Sequence, residues 1–437
     1  ASTPEGHDLY TPQRLFGEVG SSSDILTHEP FLERARLQRE QEQDASARLA
    51  LGAYVVARLI DRLLGLDLDD DAAEGFRWQL ESVRKHIGEL PSVEPETVHL
   101  AGIVDSIPSE GSPPSALGKN LSAYAYFLEH EGRLEESLEM LSLAASCERP
   151  PLGPKNFLPY ALLAGRLNRR LARWDMATSC YEAALEAAPI AGDQNRGLRA
   201  RLGRALVHRG RGNLPAARSE VEEVVVEARS AGFLDVESDA QLDLGVILML
   251  QGARSQALEA TYNAFRLAQD PLSRMRILGD LGYALNESGY YGAARVALEI
   301  VAASDSSHLV KLNAILELMQ LESAIQNRVA FERRRQQARE HVSRMTPSMT
   351  VDYHYKTAVG LARFGQVERA REIAGEALAI AERHRLNEWY FRTQRMLEGL
   401  KSTPEFAEIN APSEVDAPPA VREMTMELQE YALSSAV

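Results

Sequence analysis

The feature that most constrains this chain is a short pattern that returns in near-constant phase. A small residue, any residue, a bulky residue, two of any kind, then alanine or a near substitute occur as Gly132-Arg133-Leu134-Glu135-Glu136-Ser137 and again as Ala172-Arg173-Trp174-Asp175-Met176-Ala177. The pattern recurs from Gly212, from Gly252, from Gly289, in degraded form from Asn327, and from Gly365. The first positions, 132, 172, 212, 252, 289, 327 and 365, stand 40, 40, 40, 37, 38 and 38 residues apart. One match means little, because Gly52-Ala53-Tyr54-Val55-Val56-Ala57 also fits inside a stretch that reads as continuous helix. Seven in phase specify a repeat. A unit of that length cannot bury its apolar face alone and must stack on its neighbours.

The flanks of each match fit a helix-turn-helix unit. Before the turn lies an apolar stripe with a small residue in it: Ala164-Gly165, Leu202-Gly203 with Leu206, Leu244-Gly245 with Leu248, and Leu281-Gly282 with Leu285. After the turn come Ala177, Tyr181 and Ala184, then Ala257, Thr261 and Ala264, then Ala294, Leu298 and Val301. Spacings of four and three put each set on one helix face. Small residues suit a close helix approach, and a turn glycine supplies a backbone conformation that a Cβ penalises.

These residues resemble the tetratricopeptide repeat (TPR) family, over about 116–382. The family unit is typically about 34 residues, so the 37 to 40 here imply longer helices or linkers. Such stretched units are similar in texture to the TPR regions of peptide-sensing bacterial regulators and of kinesin light chains. The resemblance implies an all-α fold: a right-handed superhelical solenoid of about seven antiparallel hairpins, with extra N-terminal helices and a C-terminal cap helix.

The expected organisation is a flexible segment at 1–30, an N-terminal helical region and Pro-rich loop at 31–115, and repeats at 116–385. A capping helix follows at 386–402, a linker at 403–420 and an amphipathic tail helix at 421–437. Pro91, Pro95, Pro108, Pro113 and Pro114 mark the loop, where helix formation is interrupted.

A formal net charge of -15 argues against nucleic acid as the partner. No apolar run reaches the roughly 18 residues of a membrane span, and the polar start Ala1-Ser2-Thr3-Pro4 has no signal-peptide core. A cytoplasmic protein is therefore expected, and the resemblance implies a bacterial one. Cys147 and Cys180 stand outside any CxxC pair and read as reduced packing thiols. No nucleophile elbow, Walker loop, HExxH or metal-like histidine spacing is present, so neither catalysis nor a cofactor is expected.

Binding is the positive expectation. In a TPR-like stack the first helices line the concave surface. The repeat frame puts Arg166, Arg169 and Arg170 there, then Arg201, Arg204 and His208, then Asp243, Val246 and Met249, then Asp280, Tyr283 and Asn286. The arginines suit an acidic peptide or a C-terminal carboxylate, which guanidinium grips bidentately; alternatively they pair with nearby Glu and Asp on a solvated face. The tail, with Val421, Met424, Met426, Leu428 and Tyr431 among glutamates, reads as an amphipathic helix. It could fill the arginine groove of its own chain or a neighbour's, giving autoinhibition or self-association, or it is a frayed terminus or one more cap. The resemblance implies a scaffold or adaptor for a polypeptide partner. The alternatives are a peptide-sensing regulatory receptor and a regulatory subunit of a separate enzyme.

Overall fold

In a computed structural model the chain is described at residues 10–17, 27–40, 42–65, 70–107, 115–148, 152–342, 345–384, 386–402 and 417–435. Among these residues the structure contains twenty-one α-helices and no strand. The chain divides into two compact units, residues 1–217 and 218–437.

The repeats are antiparallel helical hairpins. Their helices are α6 (Ser115–His130) with α7 (Leu134–Cys147), α8 (Pro154–Arg170) with α9 (Trp174–Ala191), and α10 (Gln194–Gly210) followed by α11 (Leu214–Ala231). Then come α12 (Leu234–Leu250) with α13 (Arg254–Leu267), α14 (Pro271–Glu287) with α15 (Tyr291–Ala303), α16 (His308–Ala324) with α17 (Arg328–Arg339), and α18 (Pro347–Arg363) with α19 (Val367–Arg383). Each three-residue turn closes in the same way. Its central residue takes the left-handed backbone: Gly132, Ala172, Gly212, Gly252, Gly289, Gln326 and Gly365. The next N–H then donates to a carbonyl five residues back, from Arg133 to Leu128 at 2.9 Å, Asn213 to His208 at 2.9 Å and Asn327 to Glu322 at 2.9 Å, for example. Two otherwise orphaned carbonyls of the ending helix are thereby satisfied.

That geometry corrects the sixth repeat. Asn327 is not its turn residue; Gln326 is, with φ 61. Asn327 instead caps α17, its side chain accepting from the Ala330 N–H at 3.2 Å. With the turn at 326 the last three spacings become 37, 37 and 39. The bulky residue at the normally small second-helix position is then Phe331, fully buried, and Gly360 on the next repeat makes room for it. The small residues mark close approaches elsewhere too: the Tyr181 ring is wedged against both Gly165 of its own hairpin and Gly203 of the next. Gly203 thus faces the preceding repeat, so its close approach is between hairpins.

In the first unit, α2 (Glu29–Glu40), α3 (Asp44–Leu64), α4 (Asp70–Gly88) and α5 (Pro95–Asp105) share one apolar core with the first two hairpins. α5 lies within the stretch expected to be a Pro-rich loop. Pro95 stands in its first turn, where the missing N–H costs nothing and the fixed φ suits a helix. The helix buries Leu100, Ile103 and Val104. It also carries Glu96 into a buried ion network. Glu96 accepts from Arg34 Nη2 at 2.8 Å, Arg133 Nη1 at 2.9 Å and the Tyr124 hydroxyl at 2.6 Å. Burial alone would raise its carboxyl, but the two guanidiniums hold it near 2. The neighbouring Glu136, more deeply buried and sharing the same arginines, is pushed up to about 7.

Of the expected flexible segment 1–30, residues 1–9 and 18–26 lie outside the described residues. The part between them packs: α1 (Pro12–Phe16) rests on α7, α8 and α9 with Leu15 fully buried. Tyr10 meets Phe157 edge to face at 5.3 Å. Cys147 and Cys180 are buried free thiols, which burial pushes up to about 12.

In the second unit, α20 (Asn387–Ser402) packs on α18 and α19, covering the last hairpin as a cap. Residues 403–416 of the expected linker lie outside the described residues. The tail helix α21 (Pro419–Ser435) neither frays nor extends the stack beyond α20. It packs back on α15, burying Val421, Met424 and Leu428 in the core of that region. No helix among the described residues is long and apolar enough to cross a membrane.

Candidate binding face

The first helices α6, α8, α12 and α14 place exposed side chains at fixed distances before their turns. Six residues before the turn stand Tyr126, Arg166, Val246 and Tyr283. Two residues before it stand His130, Arg170, Leu250 and Glu287. All eight are exposed, although on the other side of the same helices Leu128, Asn168, Leu248 and Leu285 are buried. Tyr126 and Tyr283 are each 42% exposed and Leu250 60%, large apolar groups that the hairpins do not use for packing.

In the first unit the expected arginines divide. Arg166 and Arg170 converge on one carboxylate, that of the buried Glu129 at the end of α6. Arg166 donates through Nη2 to Glu129 Oε2 and pairs through Nε with Oε1, both at 2.7 Å. Arg170 Nη1 lies 3.3 Å from Oε1 and from the Glu129 carbonyl oxygen. The Arg166 guanidinium also lies over the Tyr126 ring, 5.9 Å from its centre. Two guanidiniums against one carboxylate leave a formal excess of one positive charge, on side chains that remain 44% and 39% exposed. Arg169 is half-buried and turned to the Tyr181 hydroxyl. Arg201, Arg204 and His208 on α10 are likewise half-buried, and each has interaction partners of its own. The alternative of pairing to nearby acids therefore describes Arg166 and Arg170 directly.

The second unit presents the opposite charge. Nine residues before successive turns stand Asp243, Asp280, Glu317 and Lys356. Arg276 reaches between Asp239 at 3.8 Å and Asp280 at 3.9 Å. Half of the Asp280 side chain reaches solvent, while the rest is packed among protein atoms. That burial, with the Asp243 and Glu317 carboxylates nearby, outweighs Arg276 and pushes its carboxyl up to about 6. Lys356 is buried between Glu317 at 2.6 Å and Asp352 at 2.7 Å. Asn286, expected on the open surface, is instead buried and donates to Glu317 Oε2 at 3.5 Å. Arg392 of α20 stacks over Tyr355 and Trp389, at 4.7 and 5.0 Å from their ring centres.

Sequence reasoning missed Glu129, Glu317 and Lys356. Glu317 was hidden by the register of the sixth repeat: counting from Asn327 puts the buried Leu318 in its place, whereas counting from Gln326 aligns it with Asp243 and Asp280. Within its own unit the tail has other partners. Glu427 accepts from the Tyr262 hydroxyl on α13, and Tyr431 packs on Phe265 and under Arg274.

No protein-family model matches the chain, and no curated protein matches its sequence. Several solved structures are similar to it. One is a Rap protein complexed with competence and sporulation factor, 8% identical over 82% of this chain and 99% of its own, with a TM-score of 0.43. Another is NprR in complex with its cognate peptide NprX, 11% identical over 86% of this chain and 98% of its own, also at 0.43. BtubC (BKLC) from P. vanneervenii is 16% identical over 53% of this chain and 89% of its own, at 0.34.

Proposed function

We propose that this protein is a scaffold or adaptor that binds a polypeptide along the first-helix faces of its repeats. One observation carries this reading: within each unit large side chains stand exposed at one repeat position in neighbouring hairpins, Tyr126 and Arg166 in the first and Val246 and Tyr283 in the second. Such groups at repeat spacing within a unit suit an extended or helical polypeptide better than a compact small molecule. Aromatic and arginine side chains are also the groups that dominate interface energetics.

In the first unit the excess charge at Arg166 and Arg170 selects an acidic side chain or a terminal carboxylate, with Glu129 holding the guanidiniums in place for it. In the second unit, Asp243 and Asp280 beside Val246 and Tyr283 select apolar and basic groups. The test is affinity capture from the native organism with wild type and a Val246→Ser/Tyr283→Ala variant. The substituted groups are exposed, so the melting temperature should be unchanged while the captured partner is lost. Capture of the same partner in the same amount would overturn the reading.

A further inference from the structure

Repeat five breaks the pattern on the outside of its second helix. Seven and eleven residues after the turn, the other repeats carry Glu139 and Leu143, Ser179 and Ala183, Ser219 and Glu223, Glu259 and Asn263, Arg333 and Gln337, and Glu372 and Glu376. Repeat five alone carries two branched aliphatics there, Val296 and Ile300. Such a pair on a second helix stays exposed unless something covers it. Here α21 does: it packs on α15, and Val296 and Ile300 join the same apolar cluster as Val421, Met424 and Leu428. At its far end Tyr431 stands edge to face with Phe265 at 5.6 Å, under Arg274 at 5.0 Å, and Glu427 accepts from Tyr262.

We infer that this second-helix face is a docking site for an amphipathic helix, and that the chain's own tail occupies it as a tethered competitor. The tail itself defines the ligand: apolar residues at the first, fourth and eighth positions, an acid at the seventh to meet Tyr262, and an aromatic at the eleventh to fit between Phe265 and Arg274. That stripe repeats every three to four residues, as a helix lying in a groove requires. The tail reaches its seat without following the order of the stack. It packs on α15 although α16 to α20 intervene in the sequence, and sixteen residues, 403–418, join it to α20. A tether of that length spans at most about 55 Å and holds the tail at an effective concentration of about millimolar. A partner helix must therefore outcompete the tail, which makes the seat a gated site. The site lies on the opposite helices from the first-helix face, so its test is independent of the function proposed above.

The probe is a fluorescent peptide of residues 418–435. It should bind full-length Leu428→Glu, whose own tail is disabled, saturably and at least tenfold more tightly than it binds wild type. Adding Val296→Glu at the seat should abolish that binding. A second preparation guards against a misfolded variant: a protease site within 403–416, cleaved after the full chain has folded, should let the tail leave on dilution and the labelled peptide enter. Absence of binding to both preparations would overturn the inference. So would binding that survives Val296→Glu, or equal binding to intact wild type.

Discussion

The ring of Phe331 occupies the space that a side chain at Gly360 would need: a Cβ built there would lie 2.2 Å from Phe331 Cε2. Both residues are buried, in successive repeats, so neither can yield into solvent. Gly360→Ala should therefore destabilise the second unit by about 2 kcal/mol. The denaturation midpoint reads this. Combining it with Phe331→Ala should cost less than the two changes added, because one relieves the clash made by the other.

Ala172 and Gln326 hold left-handed backbones that five other turns give to glycine. Ala172→Gly and Gln326→Gly should each stabilise by up to about 1 kcal/mol, the relief of αL strain less the greater freedom of glycine in the unfolded chain. Gly289→Ala should have the opposite sign. Thermal melts of the three single variants check the ranking.

His28 donates through Nε2 to Asp61 at 2.8 Å and is bonded through Nδ1 to Glu139, so both ring nitrogens face carboxylates. Burial lowers its basicity, but the two carboxylates outweigh burial and hold it at about 9 against an ordinary 6.5. A raised folded value means that the stabilisation is complete below about 6.5 and is lost as pH rises through about 9. It amounts to about 3 kcal/mol at most. Wild type should lose stability across that window relative to His28→Gln, whose difference from wild type shrinks at the alkaline end.

Lys356 is buried with Glu317 and Asp352. Lys356→Met leaves two carboxylates without their cation and should cost about 3 to 5 kcal/mol. Adding Glu317→Gln should restore much of it, a coupling that a double-mutant cycle measures.

Glu129 restrains the two exposed arginines of α8. Glu129→Gln keeps its shape and removes its charge. An acidic peptide such as oligoglutamate should then bind several-fold more tightly, with a steeper salt dependence, and Arg166→Gln should reverse the gain. Titration calorimetry at two ionic strengths checks both.

The hairpins were legible because turn glycines and small helix-facing residues are local demands of backbone geometry. Pro95 misled because proline breaks a helix interior yet suits its first turn, and only the buried faces of Leu100 and Ile103 tell the two apart. Arg166 and Arg170 were placed on the open face by period alone. Their shared partner was not, because Glu129 lies one repeat away and its burial depends on how α6 and α8 stack. Gln326 hid for a different reason: a glutamine in the left-handed region leaves no trace in composition, and the neighbouring Asn327 looks like a better turn residue.

The position of α21 on α15 changes how this part of the chain should come apart. Stacked repeats couple only to their neighbours, so a simple array loses its ends first. Here the last helix is bound to repeat five, with two hairpins and a cap strung between the attachment points. That raises the contact order of the C-terminal third and closes it into a loop. Fraying of the repeats beyond α15 must first open that closure, so repeats five to seven should exchange their amide hydrogens as one cooperative block. During synthesis the same closure waits for α21 to emerge, and until then the aliphatic pair on repeat five stands bare.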